Sequence, residues 1–232
     1  MLIHSIRKRS SKPNGESSHT GHGCRPGFSG HAKTLAGLVA EYEECQKRFE
    51  KGWNPLRSLM EGYRGLNDLE TAVKSAAVAE DLVGKSYRKE SDGKVRRHGH
   101  QRRIKRSVLE NARRVLASKS NIEKLKPCRS FEEIFELVAR CCDQIPGIGP
   151  LYVYDTALRI GAFSKKLPKQ VHLQAGALLG ARAIGLNVKN SPLSLSIFPK
   201  PVQRLAPHEI EDFLCIYKAK LSEAKLSYQK QT

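Results

Sequence analysis

The chain has 232 residues, with 41 Lys or Arg against 23 Asp or Glu and a formal net charge of +18. A hydrophobic share of 39% is enough for one core plus a polar arm, and no stretch approaches the ~18 apolar residues of a membrane span. A charge excess of this size points to a polyanionic partner, of which nucleic acid is the commonest; no membrane partner is expected.

Residues 1–33 are rich in Ser, Gly, His and Arg. They hold almost nothing to bury and read as a disordered basic arm. The basic N-terminus lacks the apolar run of a signal peptide, so a cytoplasmic location is expected, nucleoid-associated in a bacterium. His4, His19, His22 and His31 are irregularly spaced and have no acidic neighbours at ligand spacing, which suits a solvated tail. The six cysteines, Cys24, Cys45, Cys128, Cys141, Cys142 and Cys215, include no C-x-x-C pair. Reduced thiols, no metal and no other cofactor are expected.

Residues 34–126 form the first helical half. Thr34 suits an N-cap, and Leu35, Leu38, Val39, Tyr42, Cys45 and Phe49 make one helical stripe, closed by Gly52 and Pro55. Asn67 or Asp68 caps a second helix with Leu69, Val73, Ala76 and Ala77 on its apolar side, and Gly84 suits its stop. Residues 84–106 are dense in Lys and Arg and show no apolar period before Ile104. They read as an exposed basic loop running into a helix that buries Ile104, Val108, Ala112 and Val115. Arg97, Arg102, Arg103, Lys105 and Arg106 are the phosphate-contact candidates of this segment.

Residues 127–232 form the second half. Ser130 and Glu133 stand at capping-box spacing, ahead of the stripe Phe131, Ile134, Leu137, Val138 and Cys141. The chain then reads Ile145-Pro146-Gly147-Ile148-Gly149-Pro150, a turn between two helices. Gly147 and Gly149 tolerate positive φ and close backbone approach, Pro150 suits a first helical position, and Ile145 and Ile148 peg the turn. Amides at such a turn bind phosphate without side-chain charge, which makes Gly147, Ile148 and Gly149 candidates, with Lys169 further on.

The segment "IPGIG" with its following apolar helix resembles the helix-hairpin-helix motif of the DNA glycosylase superfamily, usually L-P-G-V-G. The resemblance extends over about residues 131–187, through "QVHLQAGALLGARAIGLN". It implies an all-α fold and contact with the DNA backbone. The whole chain is also similar to a bacterial family of basic helical proteins. The catalytic Asp of the glycosylases falls where this chain has His172, the Schiff-base Lys falls at Leu151, and the iron–sulfur cysteine cluster is missing. Glycosylase chemistry is therefore not implied.

If the chain has chemistry, the candidates are His172, Asp155 and Gln174. His172 also fits a helix-start residue bonded to nearby backbone, and Asp155 also fits an ion pair with Arg159 at i+4. Glu209, Glu211 and Asp212 open the last helix, where they complement its dipole. Ala175, Gly176, Ala177, Gly180 and Ala181 give a small-residue surface for close packing, expected against the post-hairpin helix. The expected fold is an all-α globule with a helix-hairpin-helix motif. The leading function is sequence-independent binding to duplex DNA through the turn and the basic loop. The alternatives are an atypical DNA glycosylase with a substituted catalytic residue, an RNA-binding factor, and a module for acidic proteins.

Overall fold

A computed structural model describes residues 32–47, 55–84, 86–189 and 191–229, with side chains of the last helix through Glu223. Residues 1–31 of the expected arm, together with Phe49 and Gly52, lie outside the described residues. Among the described residues nine α-helices dominate: α1 Leu35–Lys47, α2 Leu56–Arg64, α3 Leu69–Ala77, α4 Arg106–Leu116, α5 Lys119–Leu125, α6 Phe131–Cys142, α7 Pro150–Phe163, α8 Ala175–Ala183 and α9 Pro207–Gln229. The described strands are β1 Leu82–Val83 and β2 Ser86–Tyr87, paired antiparallel with Leu82 opposite Tyr87. The chain is mostly helical, as its composition suggests.

Local chemistry sets the helix starts. Thr34 Oγ1 accepts from the Gly37 amide at 3.1 Å, and Asp68 Oδ1 accepts from the Thr71 amide at 2.8 Å. Ser130 Oγ accepts from the Glu133 amide at 3.2 Å, while the Glu133 carboxylate reaches back to the Arg129 amide at 2.7 Å. Pro55, read from sequence as a stop, is instead the N-cap of α2. α3 ends at Ala77, well before Gly84, because Ala79 takes a positive φ of 58° and turns the chain.

The basic segment that follows is ordered by one buried acid. Asp81 is 1% exposed, and its carboxylate receives Arg88 at 3.3 Å and Arg96 at 3.6 Å. Backbone bridges Glu80–Arg97 and Lys89–Val95 continue the ladder of β1 and β2. The basic loop expected from sequence thus carries a short ladder: two like-charged arms are drawn together over a buried carboxylate.

Two apolar clusters form the interior. The larger draws on α2–α7 and includes Leu59, Tyr63, Leu109, Phe131 and Tyr152. α7 lies at its centre, buried at every position from Tyr154 to Ala162, which explains why its sequence is apolar nearly all round. The smaller cluster unites α1 with α8, α9 and the chain between them through Leu38, Tyr42, Val171, Phe198 and Phe213. Cys45 is disulfide-bonded, which corrects the expectation of reduced thiols at that residue; no short-range spacing signals such a bond. Cys128, Cys141, Cys142 and Cys215 are free.

The small-residue surface of α8 packs on α9 and not on α7. A Cβ at Gly180 would collide with the Leu214 carbonyl oxygen, and one at Gly176 with Cys215 Sγ. The obstacle at Gly180 is main chain, which cannot rotate away. Gly180→Ala is therefore expected to push the two helices apart and to cost about 1–3 kcal/mol. Urea unfolding of this variant beside Gly149→Ala, where an added Cβ meets nothing within 4 Å, checks the difference.

Candidate functional site

Two features stand out, one on the surface and one inside. The surface feature is the turn 143–149 between α6 and α7. Gly147 has a φ of 90°, a conformation that L side chains rarely adopt. Gly149 is the N-cap of α7 and Pro150 its first residue. Ile145 is buried beneath the turn and Ile148 half-buried, so both act as the expected pegs. The Gly147, Gly149 and Leu151 amides have no hydrogen-bond partner among the described residues.

Gly147 meets α4. A Cβ built on it lies 3.7 Å from both methyls of Val108, in the first turn of the helix that Lys105 caps and Arg106 begins. Arg102, Arg103, Lys105 and Arg106 are all exposed. Arg97 is half-buried and donates to the Ile104 carbonyl at 2.9 Å, which holds the end of the basic segment in place. An open groove beside it is lined by Lys89, Glu90, Ser91, Arg96, Arg97 and Arg102. Lys169 is not brought to this face. It is exposed beyond the C-terminal end of α7, roughly 20 Å of helix away from the turn.

The interior feature is a charged cavity between the two apolar clusters. Asp155 is 7% exposed. Its Oδ2 accepts from Gln101 Nε2 at 2.6 Å and meets His100 Nδ1 at 3.0 Å and Arg159 Nη2 at 3.8 Å. Arg159, only 1% exposed, also donates to Gln101 Oε1 at 3.1 Å. The ion pair with Arg159 read from sequence is present, but it is buried and it is the longest of three contacts. Burial works against the Asp155 charge, yet His100, Arg159 and Gln101 together hold its carboxyl below the usual range. Burial likewise works against a charged His100, and Asp155 overcomes it and raises that imidazole.

The other wall comes from α9. Glu211 and Asp212 line the same cavity, whereas sequence assigns them to dipole compensation at the helix start. Their carboxyls are both raised, Asp212 to about 7, because burial strips them of water and Asp155 repels them. Glu211 accepts the Gln174 backbone N–H at the start of α8, and Asp212 accepts the Tyr42 hydroxyl at 2.9 Å. Glu209 does not stand as a free helix-start charge but pairs with Arg57 of α2 at 2.5 Å. His98, His100 and Asp155 each offer one ligand atom, and these lie within 4.8 Å of one another.

The three residues proposed for chemistry do not converge. His172 is buried among Phe131, Phe135 and Tyr154, with ring centroids 5.3, 5.4 and 5.6 Å away. Its Nε2 has no partner among the described residues, so the expected bond to nearby backbone is not what holds it. Tyr154 and Asp155 are consecutive on α7 and point about 100° apart, which sends His172 and Asp155 to different environments. Gln174 is the half-buried N-cap of α8 and makes no side-chain cap. Sequence reasoning missed His98, His100 and Gln101 because they sit inside a run of arginines. The H-x-H repeat at 98–100 was the signal available.

Compared with known proteins, the chain matches no family model, no curated protein and no solved structure.

Burial lowers the His172 imidazole from its ordinary 6.5. The unfolded chain therefore binds a proton there before the folded chain does. As pH falls from 6.5 toward the folded value, this one residue makes stability fall, and above 6.5 it has no effect. His172→Phe is expected to raise the urea midpoint at pH 5 relative to the native chain and to leave it nearly unchanged at pH 8. An equal effect at both pH values would contradict the buried, neutral imidazole.

Proposed function

We propose that the chain binds the phosphate backbone of nucleic acid without reading sequence, with duplex DNA the favoured partner. The turn 143–149 is taken as the hairpin of a helix-hairpin-helix motif, and Gly147 and Gly149 present main-chain N–H groups to one phosphate, while the Ile148 N–H donates to the Ile145 carbonyl at 3.2 Å and holds the turn closed. Arg102, Arg103, Lys105 and Arg106 neutralise its neighbours. The observation that supports this reading is the seating of Gly147 on Val108. It puts the bare amides and the start of α4 on one face, although they lie some forty residues apart in sequence. The formal charge of +18 supplies the long-range attraction. No side-chain pattern for base-edge readout accompanies it.

A base-excision reading draws less support. His172 is walled by aromatic rings, and the cavity that holds Asp155 has a volume of about 30 Å³, room for a water-sized species and not for a flipped base.

Binding to a labelled duplex across a salt series tests the proposal. Affinity should fall steeply with salt, and a combined Arg102→Ala, Arg103→Ala, Arg106→Ala variant should reduce the logarithmic slope by roughly 2–3. Gly149→Ala has an ordinary φ of −120° and open space around it, so it should keep the native unfolding curve. Its affinity should drop about tenfold, because alanine keeps the N–H but its Cβ stands where the phosphate must approach the main chain, which weakens one charge-assisted hydrogen bond. Equal affinity at low and high salt would sink the reading. A matched RNA duplex competing as well as DNA would move the partner to RNA.

A further inference from the structure

We propose that His98, His100 and Asp155 bind one divalent first-row transition-metal ion in the cavity between the two apolar clusters. Two imidazoles and a carboxylate are a donor set suited to Zn²⁺ and to Fe²⁺. Ligands of one such ion, at bonds of about 2.1 Å, stand roughly 3.5 Å apart. The three ligand atoms here lie within 4.8 Å of one another. Side-chain rotation of about an ångström closes them on an ion.

The carboxylate is prepared for this role. Gln101 donates to Asp155 Oδ2 at 2.6 Å and the Arg159 guanidinium lies 3.8 Å from the same oxygen, and no described residue bonds Oδ1. Metal-binding carboxylates are commonly oriented in this way by partners on the second oxygen. Arg159 lines the same cavity, and its Nε and Nη1 are buried with no partner among the described residues. An N–H donor in that position suits the oxygen of a water or hydroxide held in the open fourth place of the ion. The volume of about 30 Å³ fits such an oxygen and little more.

The surroundings favour a dication. Glu211 and Asp212 bring two further acids to the cavity wall, so three carboxyl groups share a small space with one guanidinium. Leu56, Leu59, Met60, Leu158 and the imidazole of His208 complete the lining. The site takes its imidazoles from the basic segment before α4 and its carboxylate from central α7, so an ion there ties that segment to the core. This inference does not depend on nucleic-acid binding.

The experiment is titration of the metal-stripped full chain with Co²⁺, followed by visible absorption, and then with Zn²⁺ in competition. One Co²⁺ per chain with the ligand-field bands of a nitrogen–oxygen site is expected, displaced stoichiometrically by Zn²⁺, with an unfolding midpoint that rises with metal. Asp155→Asn and His98→Gln should each weaken binding at least about 100-fold. X-ray absorption of the Zn²⁺-loaded native chain should count two imidazoles, a readout that needs no variant to fold. A variant with His4, His19, His22 and His31 changed to Ala should bind as the native chain does. Absence of stoichiometric binding overturns the proposal. So does binding that disappears in the four-histidine variant and persists in Asp155→Asn and His98→Gln.

Discussion

The buried carboxylate of Asp155 is the constraint around which the interior is arranged. An ionised acid in an apolar interior is costly unless charge and hydrogen bonds surround it. Here the compensation comes from a segment more than fifty residues earlier in the chain, through His100 and Gln101, and from Arg159 one helical turn on. Meeting that need pins the basic segment to the central helix. The same pinning fixes where α4 begins, and so where the exposed arginines stand relative to the turn at Gly147. A surface of positive charge is thereby positioned from inside.

A second consequence concerns the seam between the two apolar clusters. Polar side chains populate it: Tyr42 with Asp212, Arg57 with Glu209, and Glu211 with the start of α8. Arg57–Glu209 joins α2 of the larger cluster to α9 of the smaller, and the other two pairs tie α9 to α1 and to the start of α8 within the smaller cluster. Directional bonds of this kind specify how two apolar masses fit, where apolar contact alone would allow sliding. His172 does the same job by shape, since it belongs to the chain leading into α8 and inserts its ring among aromatics of α6 and α7.

How far the sequence discloses this depends on range. Caps and stripes act within four residues, and Thr34, Asp68 and Ser130 were legible for that reason, as was the turn with its glycines and pegs. The helix α2 was hidden by Pro55, which starts a helix as readily as it stops one, although Leu56, Leu59, Met60 and Tyr63 stand at helical spacing. The ladder of 80–97 was hidden because its organising group, Asp81, is an acid whose burial shows only when Arg88 and Arg96 fold over it. The interior cavity was least legible. His98, Asp155 and Glu211 are spread over more than a hundred residues, and nothing local to any of them announces the others. Glu211 and Asp212 look like ordinary helix-start acids until α9 is placed against α7.

The pairing of α1 with the last helix bears on how the chain comes to be folded at all. Leu38, Tyr42 and Glu41 complete their contacts with residues near 213–221, so the smaller cluster closes a loop of about 170 residues. Loop closure of that length is entropically slow. During synthesis the segment 56–167 has its whole core available well before α9 has left the ribosome, while α1 waits with an apolar face uncovered. The order of assembly is thus built into the connectivity: the central unit can form first, and α1 and α9 lock together beside it afterwards.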